Sequence, residues 1–243
     1  MLYETITLEA KSFRLSGGLT SKSAGCLAAL ARTPPSLIEH HTKRLLFDGR
    51  LCSDIVLHTL SLCRGVEKVG TYIHACPEQA AILATLPNLR ELSCPLDHLH
   101  EIARFKSLCE GISHLELEWD EWMGSPTSKD PGRVDALVPL QHFRRLTYLC
   151  LRPPAYQREN WLAGRSEIAW LIQICPSIRL LVIAPDYGES KKKLRKKTRV
   201  VQTSKQVGVS IVVIAESYWW KNDWAENALT MWNFAEACVA TSD

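Results

Sequence analysis

The segment Asp97-His98-Leu99-His100-Glu101 places four potential metal ligands close together in the chain. Imidazole and carboxylate groups bind zinc, but the helical HExxH arrangement would need a histidine at position 104, where the chain has Arg104. The alternative is the polar start of a helix, in which the Asp97 carboxylate interacts favourably with the helix dipole. We therefore predict a polar helix start and no metal-binding residues.

The stretch from Gly17 to Ser23 most resembles a phosphate-binding loop. It contains Lys22 and Ser23 but lacks the glycine directly before the lysine that lets a P-loop backbone wrap around phosphate. Without that glycine, the segment predicts a surface turn. No GxSxG or GxGxxG sequence occurs, and the eight histidines are scattered. We predict no catalytic residues, no cofactor and no enzyme, with a hydrolase-like site assembled from distant residues as the alternative.

The nine cysteines include no CxxC pair, and their number is odd. This usage fits a reducing compartment. Several cysteines, such as Cys94, Cys109 and Cys175, occupy apolar positions of the repeat described below, where an inert buried thiol is expected. No secretory signal and no long apolar run is evident, so we predict a cytoplasmic or nuclear protein without membrane contact.

The net charge of +3 arises largely from one run of basic residues near the C-terminal third of the chain. We predict an inserted loop over 191–205. The basic run has three interpretations: a nuclear import signal, a phosphate-contacting patch or a solvated loop. No aromatic residue alternates with the basic ones, so nucleic acid is not the expected partner, and binding through 191–199 stays an alternative. The basic residues are Lys191, Lys192, Lys193, Arg195, Lys196, Lys197 and Arg199.

Apolar residues recur in the spacing LxxLxxLxL, which is the main signal of the sequence. The copies start at positions 63, 86, 109, 143 and 175, so the first two steps are equal and the later two are longer. Insertions account for the longer steps. The clearest copies are Leu86, Leu89, Leu92 and Cys94; Cys109, Ile112, Leu115 and Leu117; Phe143, Leu146, Leu149 and Leu151; and Cys175, Ile178, Leu181 and Ile183.

Each copy ends in an alternating LxL segment, which is typical of a strand, and helical patterns precede several of them. Ser53 to Leu62 and Glu167 to Cys175 are predicted helices, and Pro87 and Pro176 are predicted to follow helix ends. One unit cannot bury its own apolar face, so neighbouring units must stack.

We therefore predict a single α/β domain over 1–243, a short, irregular leucine-rich-repeat-like solenoid. Parallel strands form its concave side and helices its convex side. Further strands are predicted at 4–8, 42–47 and 210–215. An amphipathic helix over 224–240 is predicted to cap the open end of the stack.

The ordered set of segments LYETITL, RTPPSLIEHHTKRLLF, ATLPNLRELSC, FRRLTYLCLRPP, QICPSIRLLVIAP, SIVVIA and MWNFAEACVA resembles the region after the F-box in fungal F-box and leucine-rich-repeat-like proteins. The resemblance covers nearly the whole chain. It implies the target-binding half of a ubiquitin ligase receptor. The F-box, which would dock a Skp-type adaptor, would precede Met1, so we expect this chain to bind a target without recruiting the adaptor.

Residues that point outward from consecutive predicted strands would form one continuous surface of mixed acidic, aromatic and apolar character. Such a surface suits a protein or peptide partner better than a phosphate backbone. The aromatic pair in the segment LEWDEWMGSP, at a strand end, is predicted to add anchor residues. The predicted partner-binding residues are Glu91, His114, Glu116, Glu118, Trp119, Trp122 and Tyr148.

Overall fold

The computed structural model describes residues 4–10, 19–48, 51–71, 77–118, 136–152, 165–184, 200–206, 208–214 and 231–241. The chain divides into two compact units, Met1–Ile112 and Ser113–Asp243. In the described part of each unit, parallel strands alternate with helices and form an open sheet. The α/β prediction is therefore confirmed.

The first unit contains four parallel strands, ordered in space as they are in sequence. Its elements are β1 (Thr5–Glu9), α1 (Ser21–Leu30), α2 (Pro35–His41), β2 (Arg44–Asp48), α3 (Ser53–Leu62), β3 (Lys68–Thr71), α4 (Pro77–Leu83), β4 (Glu91–Pro95), a 3-10 helix (Leu96–His98), α5 (Leu99–Ala103) and α6 (Lys106–Gly111).

The second unit contains five strands in the spatial order β5, β6, β7, β9, β8. All neighbours are parallel except the last pair, in which β8 runs antiparallel to β9. Its elements are β5 (His114–Glu118), a 3-10 helix (Val138–His142), β6 (Tyr148–Arg152), α7 (Arg165–Ile174), β7 (Leu180–Ile183), β8 (Val200–Gln206), β9 (Val209–Ile214) and α8 (Met231–Ala240).

Strand pairing follows the spacing of the leucine pattern. Lys68 pairs with Glu91, which holds the same position one copy later. In the second unit, Tyr148 pairs with His114 on one side and with Leu180 on the other, and these three residues again hold one position of successive copies. Equivalent positions therefore lie side by side within each unit. The additional residues of the longer copies lie in the segments that connect the strands.

The same backbone hydrogen bonds recur from copy to copy. The first residue of a copy accepts a hydrogen bond at its carbonyl from the amide three positions later, as in Cys63 to Val66, Leu86 to Leu89, Phe143 to Leu146 and Cys175 to Ile178. Just before each strand, one carbonyl accepts two amides of the next copy: the Glu67 carbonyl accepts from Arg90 and Glu91, and the Thr147 carbonyl from Arg179 and Leu180. These bonds fix where each strand begins.

Alternation along the strands separates two faces of each sheet. One face packs toward the connecting helices, and its residues are almost completely buried. They are Ile6, Leu8, Leu45, Phe47, Val69, Leu92 and Cys94 in the first unit, and Leu115, Leu117, Leu149, Leu151, Leu181, Ile183, Ile211 and Val213 in the second. The repeat positions that were predicted to be apolar and inward are thus the core.

Helix boundaries agree with the sequence where the apolar period is clear. Helix α3 has the predicted bounds, Ser53–Leu62. Helix α7 begins at Arg165, slightly before the predicted start at Glu167. Pro87 and Pro176 both follow a helix end, as predicted.

Two segments predicted as loops contain regular structure. Residues 200–205, the end of the predicted basic loop, belong to strand β8, whose pairing with β9 is closed by a turn in which Gly208 has φ of 82°. Lys22 and Ser23 lie in helix α1, because the Thr20 hydroxyl accepts a hydrogen bond from the Ser23 amide and caps the helix. The predicted surface turn is therefore wrong at these residues.

Candidate functional site

The second face of the β5–β9 sheet, here called the outward face, carries most of the predicted partner-binding residues. The strand register places them in rows across the sheet. The outward face changes from aromatic and acidic on β5 to apolar on β7 and β9. The first row is His114, Tyr148, Leu180 and Ser210; the second is Glu116, Cys150, Val182 and Val212; and the third includes Glu118 and Arg152.

Three aromatic side chains meet at the first row. The rings of His114 and Tyr148 stack with centroids 4.2 Å apart and an interplanar angle of 6°. Trp232 of α8 presents an edge-to-face contact to each, at 5.5 Å from His114 and 5.7 Å from Tyr148. The Ser113 hydroxyl lies 2.8 Å from Nδ1 of His114 and orients that ring. Such a cluster is typical of protein interfaces, where rigid aromatic side chains dominate the binding energy.

A hydrogen bond joins the aromatic cluster to the exposed side of α8. The Tyr148 hydroxyl donates to the Glu236 carboxylate. This bond is the largest cause that raises the pKa of Tyr148 above its ordinary value, because ionisation of the phenol would lose the bond and place two negative charges together. Arg179 opposes the shift of that pKa.

Helix α8 packs onto the apolar part of the outward face. Met231, Trp232 and Ala235 form a buried cluster with side chains of the neighbouring strands and the end of β7, namely Cys150, Leu180, Val182, Ala184 and Val212. The helix was predicted to cap the end of the strand series. In the structure it lies against the outward face, where it covers apolar residues on three neighbouring strands.

The third row contributes to a buried ion pair between neighbouring strands. Nη1 of Arg152 donates to Oε1 of Glu116 over 3.1 Å, and the two side chains are 3% and 11% exposed. Glu116 was predicted to make a central partner contact, yet its charge is already matched inside the protein. Glu118, in register with Arg152, is half-buried. The accessible part of the outward face is therefore the aromatic row and its rim.

Glu91, the remaining described residue of the predicted surface, lies on β4 of the first unit. Its carboxylate is 3.2 Å from Nζ of Lys68 on the neighbouring strand. This cross-strand pair occupies the start of the two strands and leaves Glu91 half-buried. Trp119, Trp122 and the basic residues 191–199 lie outside the described residues.

Polar side chains also gather at the carboxyl ends of β3 and β4, around a small depression. The Gln79 amide donates to the Thr71 hydroxyl over 3.0 Å, and both side chains are buried. His98 and Glu101 line the same depression, whereas Asp97 and His100 are exposed. The four polar residues of 97–101 therefore do not converge. Within the described ranges no group of three histidine, cysteine or acidic side chains could hold a metal ion.

Burial disfavours ionisation of the thiols of Cys63, Cys109 and Cys175. Burial raises the pKa of Cys63 to about 12 and that of Cys109 to about 11. A thiol with such a pKa is not a nucleophile at neutral pH. The eight described cysteines form no disulfide bonds with one another.

Sequence reasoning missed three residues of this site. Arg152 could have been found, since it follows Cys150 by one alternation of the strand and so shares its face. Trp232 and Glu236 lie within the predicted helix over 224–240 and were not predicted as partner-binding residues. No local spacing connects either residue to His114 or Tyr148, which lie far away in the chain on another kind of element.

Comparison with protein-family models, with curated proteins and with solved structures finds no match to this chain. The resemblance to F-box and leucine-rich-repeat-like proteins therefore stays a prediction. Among the described helices, none has the length and apolar character needed to cross a bilayer.

Proposed function

We propose that this protein is an interaction scaffold of the leucine-rich-repeat-like type, which binds a protein or peptide on the outward face and is not an enzyme. The observation that carries the proposal is the aromatic cluster of His114, Tyr148 and Trp232 at the rim of that face. His114 and Tyr148 are half-buried and so remain available for contact. Tyrosine and tryptophan are among the side chains most enriched at positions that dominate protein–protein binding.

The polar groups of the face favour binding over catalysis. A catalytic acid or base exchanges a proton with the substrate, and its own pKa lies near the working pH. Here Glu116 is paired with Arg152, and the phenol of Tyr148 is paired with Glu236. These side chains hold the face together, which supports a rigid binding platform.

In line with the family resemblance, we propose that the partner is the target of a ubiquitin ligase, with this chain supplying the target-binding half. The mixed aromatic and acidic surface supports a protein target more than a nucleic acid, since affinity for a phosphate backbone comes mainly from basic side chains. A cytoplasmic or nuclear location belongs to the same proposal.

The test compares two histidine variants of the full chain in affinity capture from an extract of the source organism. His114→Ala removes one ring of the cluster, whereas His142→Ala changes an exposed histidine of the 3-10 helix before β6. We expect His114→Ala to lose at least one protein that the wild type and His142→Ala both retain. Equal capture by all three chains, with unchanged thermal stability, would refute binding on the outward face.

A further inference from the structure

Carboxylates balance cations where the strands of the first unit begin. Ion pairs join neighbouring segments at 3.2 or 3.5 Å; they are Glu4 with Arg44, Lys43 with Glu67, and Lys68 with Glu91. These cations are thus held by acidic side chains of the protein itself.

The corresponding edge of the second unit is different. Exposed arginines, here called the arginine edge, precede β6 and β7; they are Arg144, Arg145 and Arg179. Within the described ranges, none of these three guanidinium groups lies within ion-pair distance of a carboxylate. The arginine edge is therefore a concentration of positive charge that the described part of the second unit does not pair.

Hydrogen bonds hold the segments that carry these arginines side by side. The Arg179 amide donates to the Thr147 carbonyl over 2.8 Å. The Ser177 hydroxyl donates to the Phe143 carbonyl over 3.4 Å. Both contacts join the turn before β6 to the turn before β7, so a single extended peptide can reach the whole arginine edge.

The arginine edge borders the aromatic cluster. Tyr148 begins β6, directly after the turn that contains Arg144 and Arg145. The hydrogen bond to Glu236 is the main cause that raises the pKa of Tyr148, and the charge of Arg179 is close enough to oppose that shift. A partner held by the aromatic rings therefore lies next to these cations.

We propose that the arginine edge binds an acidic segment of the protein partner, whose aspartate or glutamate side chains pair with Arg144, Arg145 and Arg179. The inference rests on the proposed function and specifies the chemistry of the partner. Charge complementarity supports this occupant, because a guanidinium group binds a carboxylate through two parallel hydrogen bonds. A nucleic acid is less favoured, since its affinity comes from many phosphate contacts.

The experiment measures binding of fluorescein-labelled oligoglutamate to the full chain by fluorescence anisotropy at low ionic strength, where charge interactions are least screened. The double variant Arg144→Gln and Arg179→Gln should weaken binding at least about fivefold, because it removes two exposed ion pairs. The matched control is Arg64→Gln with Arg90→Gln. It removes the same charge from exposed arginines at the corresponding positions of earlier copies, and it should bind as the wild type does.

The basic run 191–199 offers a competing site for the same peptide, so the position of binding is measured separately. Oligoglutamate should slow the modification of Arg144, Arg145 and Arg179 by phenylglyoxal, with peptide mass spectrometry as the readout. Modification of the two control arginines should not change. Circular dichroism shows which variants are folded, and if the double variant is unfolded, protection in the wild type decides.

Equal affinity of the wild type and the folded double variant would overturn the proposal, as would absence of protection at the arginine edge. Tighter binding of oligothymidylate that depends on the same arginines would also overturn it, because phosphate would then be the preferred ligand. Partner capture keeps the two proposals separate. Weakened oligoglutamate binding in the double variant, together with unchanged capture by His114→Ala, would refute the proposed function and leave the arginine edge intact.

Discussion

Gly65 occupies one of the closest backbone contacts of the first unit. A Cβ atom at this position would lie 1.7 Å from the carbonyl oxygen of Glu39, in the C-terminal part of α2. The equivalent glycine of a later copy, Gly111, would place a Cβ atom 3.3 Å from the Leu89 carbonyl oxygen. Glycine shortly after the first residue of a copy thus lets neighbouring segments approach closely.

We predict that Gly65→Ala destabilises the protein by about 3 kcal/mol or more, because backbone must move to admit the methyl group. Gly25→Ala is the control: it lies in α1 with no atom within 4 Å of the new methyl group. That change should stabilise the protein by about 0.5–1 kcal/mol through helix propensity. Urea denaturation measures both, and a neutral Gly65→Ala would contradict the close approach.

The reactivity of each cysteine thiol should decrease with the burial of its side chain. Because the pKa values of Cys63 and Cys109 are raised to about 12 and about 11, both thiols should resist iodoacetamide in the native protein at mildly alkaline pH. Cys52 is exposed and should be alkylated first. Peptide mass spectrometry gives the order, and early modification of Cys63 would be inconsistent with its position in the core.

The hydrogen bond between Tyr148 and Glu236 predicts a dependence of stability on alkaline pH. Since the pKa of Tyr148 is raised in the folded state, its contribution is fully present below the ordinary tyrosine pKa of 10.0 and is lost as pH rises through the folded value. Tyr148→Phe should therefore lose less stability than the wild type as pH rises through that range. Ultraviolet titration of phenolate should show that this variant lacks one phenol that ionises above the ordinary tyrosine pKa; an unchanged titration curve would argue against the bond.

At the scale of secondary-structure elements, the buried pair of Glu116 and Arg152 connects β5 to β6. The pair explains how charged residues occur on strands whose other side chains are buried. Leaving one ionised partner in such a site is costly, whereas replacing both removes the charge altogether.

We predict that Arg152→Met destabilises the protein by about 3–5 kcal/mol, because Glu116 is left buried without its ion-pair partner. The double variant Glu116→Gln and Arg152→Met should recover much of that loss. A double-mutant cycle from denaturant unfolding measures the coupling. Additive effects of the two substitutions would show that the pair is not coupled.

The elements could be predicted where one apolar period dominates. Strands β4 to β7 follow the LxL segments, because each carries two inward apolar residues at a fixed place in its copy. Strand β8 was missed because its sequence, VVQTSKQ, is mostly polar and follows a basic run, and its pairing depends on a turn at Gly208. Helix α1 was missed because its serine- and alanine-rich sequence has little apolar pattern.

At the scale of the whole molecule, the site was only partly predictable. Alternation along β5 and β6 correctly places His114, Glu116 and Tyr148 on one face. The role of α8 was not predictable, because packing onto the outward face depends on contacts between residues far apart in the chain. Helix α8 packs against part of the surface that was predicted to bind a partner, including Tyr148.

Photocrosslinking from the outward face can capture a protein bound at the aromatic cluster. A p-benzoylphenylalanine side chain in place of His114 keeps an aromatic ring at the rim, and the same substitution at exposed His142 is the control. We predict that the His114 position, and not the His142 position, yields a discrete crosslinked protein. Absence of crosslinked protein at His114, or identical products from both positions, would contradict partner binding at the aromatic cluster.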